Sequence, residues 1–310
     1  MLPERVSVYE VGPRDGLQNE AARLPVEAKV RLVQALAAAG LQRIELGSFV
    51  RPDWIPQLAD TEVVVQRALS IPGVRFSALV PNRQGLDRAA ACGLKEVAVF
   101  MSASETHNRK NTNKGVAQSL EVFGEIVPLA RRHGMAVRAY LSTIWGCPYE
   151  GEVDPARALQ IARELRDLGA AEISLGDTIG IGNPLQTRRI LELFLKDFRP
   201  GELALHLHDT NGTALANAVV GMELGITTFD TSIGGLGGCP YAPGAAGNLA
   251  TEDLVSMLAD MGIETGVDLE KLIDAGALAQ ELIGRKLSGR RLQAALGRRQ
   301  GGEARPAAST

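Results

Sequence analysis

Short β-branched runs alternate with longer Ala- and Leu-rich stretches along most of this 310-residue chain. Residues 6–11, 43–46, 75–79, 96–100, 137–141, 172–176, 204–208 and 228–231 read as strands. Between them, 26–39, 61–69, 83–92, 116–133, 155–168, 184–196 and 213–224 carry helical spacing of apolar positions. Gly40, Gly93, Gly134, Gly169 and Gly225 fall where helices end. Strand followed by helix, repeated about eight times, predicts a (β/α)8 TIM barrel of the α/β class. A doubly wound open sheet is the alternative, but no G-x-G-x-x-G follows the first strand. Additional C-terminal helices at 251–261 and 269–283 would cap or extend the barrel. One domain is expected over 1–296, and the Gly/Arg/Ala/Pro-rich stretch 297–310 reads as a disordered tail.

A barrel places chemistry at the C-terminal ends of its strands and in the loops that follow. Two imidazoles stand at one such end, in LHLHDTNGT (205–213). Alternate strand residues share a face, so His206 and His208 are expected to point inward and to ligate a divalent metal, while Leu205 and Leu207 pack outward. Two hydrogen-bonded core histidines are the plainer reading. An oxygen ligand is needed beside them. Asp15, in VGPRDGLQNE (11–20), is a candidate because closure brings the first strand near the seventh. Asp177 and Asp209 are its rivals, and Asp209 equally suits a helix cap.

GGLGGCPYAPGAAGN (234–248) is too rich in glycine and proline for helix or strand, and it follows the eighth strand. It is expected to be a mobile lid carrying Cys239 as an acid or base. Asn248 either donates an oxygen to the metal or caps the next helix. Glu45 and Asp177 each end a strand and are expected at the barrel mouth. Arg109 and Lys110, with Lys114, follow the fourth strand and either hold phosphates or decorate a solvated loop. His107 and His133 read as surface or loop residues, Cys92 reads as packing, and Cys147 stays open.

Composition narrows the partners. A net charge of −3 and 4% aromatic residues provide neither a basic field nor a stacking surface, so nucleic acid is not expected. No window holds the ~20 apolar residues of a membrane span. Cys92, Cys147 and Cys239 are odd in number and far apart, which fits a reducing compartment and a cytoplasmic location.

Taken with IELGSFV, GCPYEG, EISLGDTIG and GGLGGCPYAPGAAGNLATEDL, the Arg14-Asp15 and His-x-His segments resemble the hydroxymethylglutaryl-CoA lyase family from about residue 6 to 283. The resemblance implies a divalent cation, Mg2+ or Mn2+, held by Asp15, His206, His208 and Asn248. It implies retro-Claisen cleavage of (S)-3-hydroxy-3-methylglutaryl-CoA to acetoacetate and acetyl-CoA, the chemistry of leucine degradation and ketone-body formation. Asp15 would also act as base, Arg14 would stabilise the enolate, Cys239 would protonate the carbanion, and Glu45 and Asp177 would organise the site. Arg14, Gln18, Ser48, Arg109 and Lys110 are expected on the acyl-CoA substrate, and a homo-oligomer (dimer or higher) is expected. Arg51, Trp145 and Asn211 depart from the family pattern and open the alternative of a related 3-hydroxyacyl-CoA such as citramalyl-CoA. An acetyl-CoA-condensing synthase of the same superfamily is a further alternative. So is a non-catalytic metabolite-binding barrel.

Overall fold

Alternation within each strand decides which side chains meet the helices and which fill the barrel. In the strand Ala136–Ser142, Val137, Ala139 and Leu141 join the apolar layer. Arg138 and Tyr140, one residue out of phase, turn inward to acidic partners. The computed structural model describes residues 1–238 and 247–301.

Eight parallel strands close into a barrel in sequence order, and β8 pairs with β1. They are β1 Ser7–Glu10, β2 Arg43–Ser48, β3 Arg75–Leu79, β4 Glu96–Ser102, β5 Ala136–Ser142, β6 Glu172–Asp177, β7 Leu203–Leu207 and β8 Thr228–Thr231. The helices are α1 Val26–Ala38, α2 Thr61–Ala68, α3 Arg83–Ala91, α4 Glu105–Thr112, α5 Val116–Arg132, α6 Pro155–Leu168, α7 Pro184–Phe194, α8 Ala214–Glu223, α9 Thr251–Asp260, α10 Leu269–Ile283 and α11 Arg290–Gln300. The TIM barrel expected from the sequence is the fold found, and the open sheet is excluded by closure. All five glycines assigned to helix ends have positive φ.

Two helices were not anticipated. Glu105–Thr112 is polar on most sides and was read as loop. It forms because Ser104 caps it, accepting from the His107 amide at 3.1 Å, and because buried Asn108 ties it to the end of β4. The helix α11 runs past residue 297, where the tail was expected to begin, and it buries Leu292 and Ala295. The link between α10 and α11 supports the root of the glycine segment, since Gly289 donates to the Gly234 carbonyl at 2.9 Å.

The barrel interior is unusually polar. Arg43 and Arg138 share Glu172, both guanidinium groups lie over the Tyr9 ring, and Arg138 also grips Asp230 with two hydrogen bonds. This charged column fills space that aliphatic layers usually occupy and leads upward to the histidines of β7. Among the described residues, no helix is long and apolar enough to cross a membrane.

Candidate active site and metal centre

Directly after β1 the chain makes a single π-helical turn, Gly12–Gly16. The Val11 carbonyl accepts from the amides of Arg14, Asp15 and Gly16, and this raises Arg14 and Asp15 over the barrel mouth. Buried Glu10 clamps the turn from below: its Oε1 accepts from the amides of both Gly12 and Ile233 at 2.8 Å. A single carboxylate oxygen thus joins the Arg14-Asp15 turn to the root of the glycine segment.

Asp15, His206 and His208 bring one ligand atom each to within 4.8 Å of one another. The two histidine Nε2 atoms are 3.2 Å apart, and His206 Nε2 lies 4.0 Å from Asp15 Oδ2. His206 Nδ1 faces Asp230 Oδ2 at 3.2 Å, an acceptor that keeps the proton on Nδ1 and turns the Nε2 lone pair to the cavity. His208 lies just past the end of β7 and forms an isolated bridge with Asn248, which brings that residue to the cluster. Asn248 Nδ2 donates to Asp15 Oδ2 at 2.8 Å and to the Leu236 carbonyl at 3.0 Å. Its Oδ1 is buried with no hydrogen-bond partner among the described residues. An orphaned amide oxygen beside two inward nitrogens and a carboxylate fits a divalent cation of octahedral habit. Asn248 does not cap the next helix, whose first flanking residue is Ala250.

Burial works against ionising Asp15, but Arg14 and the two histidines outweigh it and hold the carboxyl at about 2. Arg14 is buried between two acids, donating to Asp15 Oδ1 at 2.6 Å and to Glu45 Oε2 at 2.5 Å. Glu45 also accepts from the Tyr140 hydroxyl at 3.0 Å. Burial raises the Glu45 carboxyl despite the pull of Arg14. Arg14, Asp15, Tyr140, His206 and His208 line a cavity of about 260 Å³, and Glu45 is fully buried and does not line it.

A family model described as HMGL-like matches residues 5–279. The chain belongs to that family. It is 49% identical to the hydroxymethylglutaryl-CoA lyase of Bacillus subtilis over 94% of this chain and 97% of that one. The crystal structure of the Bacillus subtilis HMG-CoA lyase superposes with a TM-score of 0.93 at 48% identity, covering 95% and 99% of the two chains. An Acinetobacter baumannii HMG-CoA lyase, solved in complex with coenzyme A and 3-methylmalate, matches at 37% identity with a TM-score of 0.90, covering 98% of each chain.

The remaining residues expected from the family pattern divide sharply by position. Gln18 and Ser48 line the cavity. Arg109 and Lys110 do not: Arg109 pairs with Glu105 at 2.8 Å, and Lys110 sits over the Tyr149 ring. Of that basic group only Lys114 lines the cavity. Asp177, expected at the barrel mouth, does not line it: its carboxylate accepts from the Gly182 and Ile181 amides, and burial raises it to about 6. Asp209 accepts from the Ala214 amide at the start of α8 at 3.0 Å and from Arg290, although the residue flanking that helix is Thr213. Cys239 lies outside the described residues.

His107 is not at the surface as expected. It is buried, lines the cavity and lies 2.5 Å from Ser102 Oγ; burial lowers its imidazole to about 4. His133 is exposed as expected. Cys92 packs against the core, and Cys147 is buried against Ser104 Oγ at 3.0 Å. Trp145 and Asn211 do not line the cavity: Trp145 is buried with its Nε1 on Thr187 Oγ1, and Asn211 is exposed. Arg51 does line it. Sequence reading missed Asp230, Arg138, Tyr140 and Glu10. Their signal was charge or hydroxyl at inward or strand-end positions of otherwise apolar strands.

Proposed function

We propose that this protein is a metal-dependent carbon–carbon lyase that cleaves (S)-3-hydroxy-3-methylglutaryl-CoA to acetoacetate and acetyl-CoA. The observation that carries this reading is the Asp15, His206 and His208 cluster opening on one cavity with the Arg14 guanidinium. Its relatives' names agree with it.

Asp15, His206, His208 and Asn248 would hold Mg2+ or Mn2+. When bound, such an ion polarises substrate oxygens and acidifies the C3 hydroxyl. Asp15 stays ionised at neutral pH and is the acceptor for that hydroxyl proton. The electrons of the O–H bond form the ketone of acetoacetate, and those of the C2–C3 bond pass to the thioester as an enolate. Arg14 commits Nε to Glu45 and Nη1 to Asp15. Nη2 makes no hydrogen bond among the described residues and donates to the enolate oxygen as charge builds there. Glu45 and Tyr140 fix the guanidinium so that it need not reorganise. Cys239 returns a proton to C2, completing acetyl-CoA.

The lid role of residues 234–248, a cytoplasmic location and a homo-oligomeric assembly belong to the same proposal. The test is product analysis: HMG-CoA should yield acetoacetate and acetyl-CoA in equal amounts. Condensation of acetyl-CoA with a keto acid, without cleavage, would assign the protein to the synthases instead.

A further inference from the structure

The charges around the cavity balance at every position but one. Among the described residues, Arg14, Arg51 and Lys114 are the lysines and arginines that line it. Arg14 is matched by Asp15 and Glu45. Arg51 is 67% exposed, makes two hydrogen bonds to Asp53 and lies over the Trp54 ring. Lys114 is half-buried and forms no ion pair among the described residues. A cation drawn partly out of water without a counter-charge is costly unless a ligand supplies one.

Its position is also built. Lys114 follows α4, and its carbonyl accepts from Asn108 Nδ2 at 2.9 Å. The Asn108 side chain is buried, donates also to Ser119 Oγ at 2.8 Å and accepts from the Ser102 amide at the end of β4. The backbone bearing the ammonium is therefore tied to the rim of the barrel. In the closed order of eight strands, β4 stands opposite β8. The Asp15, His206 and His208 cluster belongs to the β1, β7 and β8 side. Lys114 lines the same cavity as that cluster, so both face one bound acyl chain.

We propose that Lys114 receives the free carboxylate of the acyl chain and thereby selects dicarboxylic acyl-CoA thioesters over neutral ones. This rests on the reading given under Proposed function. The coenzyme's phosphates carry the same kind of charge, so the test separates the two sources.

Steady-state kinetics of wild type, Lys114→Met and Lys114→Arg would be measured on three thioesters: HMG-CoA, its C5 methyl ester, and the pantetheine thioester of HMG, which lacks the nucleotide phosphates. Lys114→Met should lose about 10- to 100-fold in kcat/KM on HMG-CoA, the scale of a charge-assisted hydrogen bond. That loss should appear mainly in KM, recur on the pantetheine thioester and vanish on the methyl ester. Lys114→Arg should recover most of it, which a general folding defect would not allow. Equal loss on the acid and the ester, loss confined to the CoA thioesters, or no loss at all would each overturn the proposal. If wild type itself leaves HMG-CoA intact, the lyase reading fails first and this inference falls with it.

Discussion

The imidazole of His206 is held by Asp230 at 3.2 Å through Nδ1, the nitrogen that faces away from the cavity. Asp230 is itself gripped by Arg138 and accepts from Ser174 Oγ at 2.8 Å. Burial opposes ionisation of this carboxyl, but Arg138 and His206 hold it well below the usual carboxylate range. The charged column through the barrel thereby fixes the tautomer of a proposed metal ligand. Asp230→Asn should weaken Mn2+ binding by about 10- to 100-fold, the usual scale for removing such a partner. Titration of Mn2+ into wild type and variant, with unfolding monitored in parallel, checks this. Unchanged affinity in a folded variant would reduce Asp230 to a packing role.

Arg14 cannot be replaced by a simpler cation. Its planar fork reaches Glu45 and Asp15 from different nitrogens, whereas a lysine ammonium has one centre to share. Arg14→Lys should lower kcat by roughly 10²- to 10³-fold, as for loss of a transition-state donor, while KM for HMG-CoA stays within a few fold. A rise in KM with kcat preserved would move Arg14 from transition-state stabilisation to ground-state binding.

Gly237 bears on the metal centre through its backbone. It has a φ of +102°, and a Cβ there would stand 2.6 Å from Asn248 Nδ2. Gly237→Ala should therefore displace the amide that links Asp15 to this segment. The expected stability cost is on the order of 1–2 kcal/mol for the left-handed backbone, with a larger proportional loss of Mn2+ affinity and turnover. Denaturant titration beside Mn2+ binding separates the two effects.

Glu252 makes the stability of the fold depend on pH. Both of its oxygens accept from the Gly234 amide, and it is fully buried without a cationic partner among the described residues. Burial raises its carboxyl from 4.5 to about 8, and burial likewise raises Glu10 to about 7. Above the ordinary value the unfolded chain releases these protons while the folded chain keeps them. Folding stability therefore falls as pH rises from about 5 to 8. Glu252→Gln keeps the acceptor and removes the titration, so the fall should shrink by roughly 3–4 kcal/mol. Unfolding free energies at pH 5, 6.5 and 8 test it, and an unchanged slope would contradict it.

Periodicity located all eight strands, most of them to within a residue or two, because apolar alternation and terminal glycines act locally. His206 and His208 stood out because two of only four histidines share one strand end. Asp15 was one of three candidate carboxylates, and it is barrel closure that brings it to the histidines. Periodicity failed for Glu105–Thr112, where a cap and one buried asparagine outweigh weak amphipathicity. It also failed for Arg138 and Asp230. A lone charge in a short strand has no period, and its partner lies 92 residues away. The π-helical turn that orients Arg14 and Asp15 was illegible for a related reason: it is held by Glu10 through a contact with Ile233 that only barrel closure creates.

Asp15, His206, His208 and Asn248 are proposed to hold a divalent cation on which C–C cleavage depends. The most direct measurement is acetyl-CoA release from HMG-CoA by chelator-stripped protein, before and after adding back Mn2+ or Mg2+. Stripped protein should show only background rates and recover turnover on addition. Full-rate cleavage by protein shown to be free of metal would contradict it.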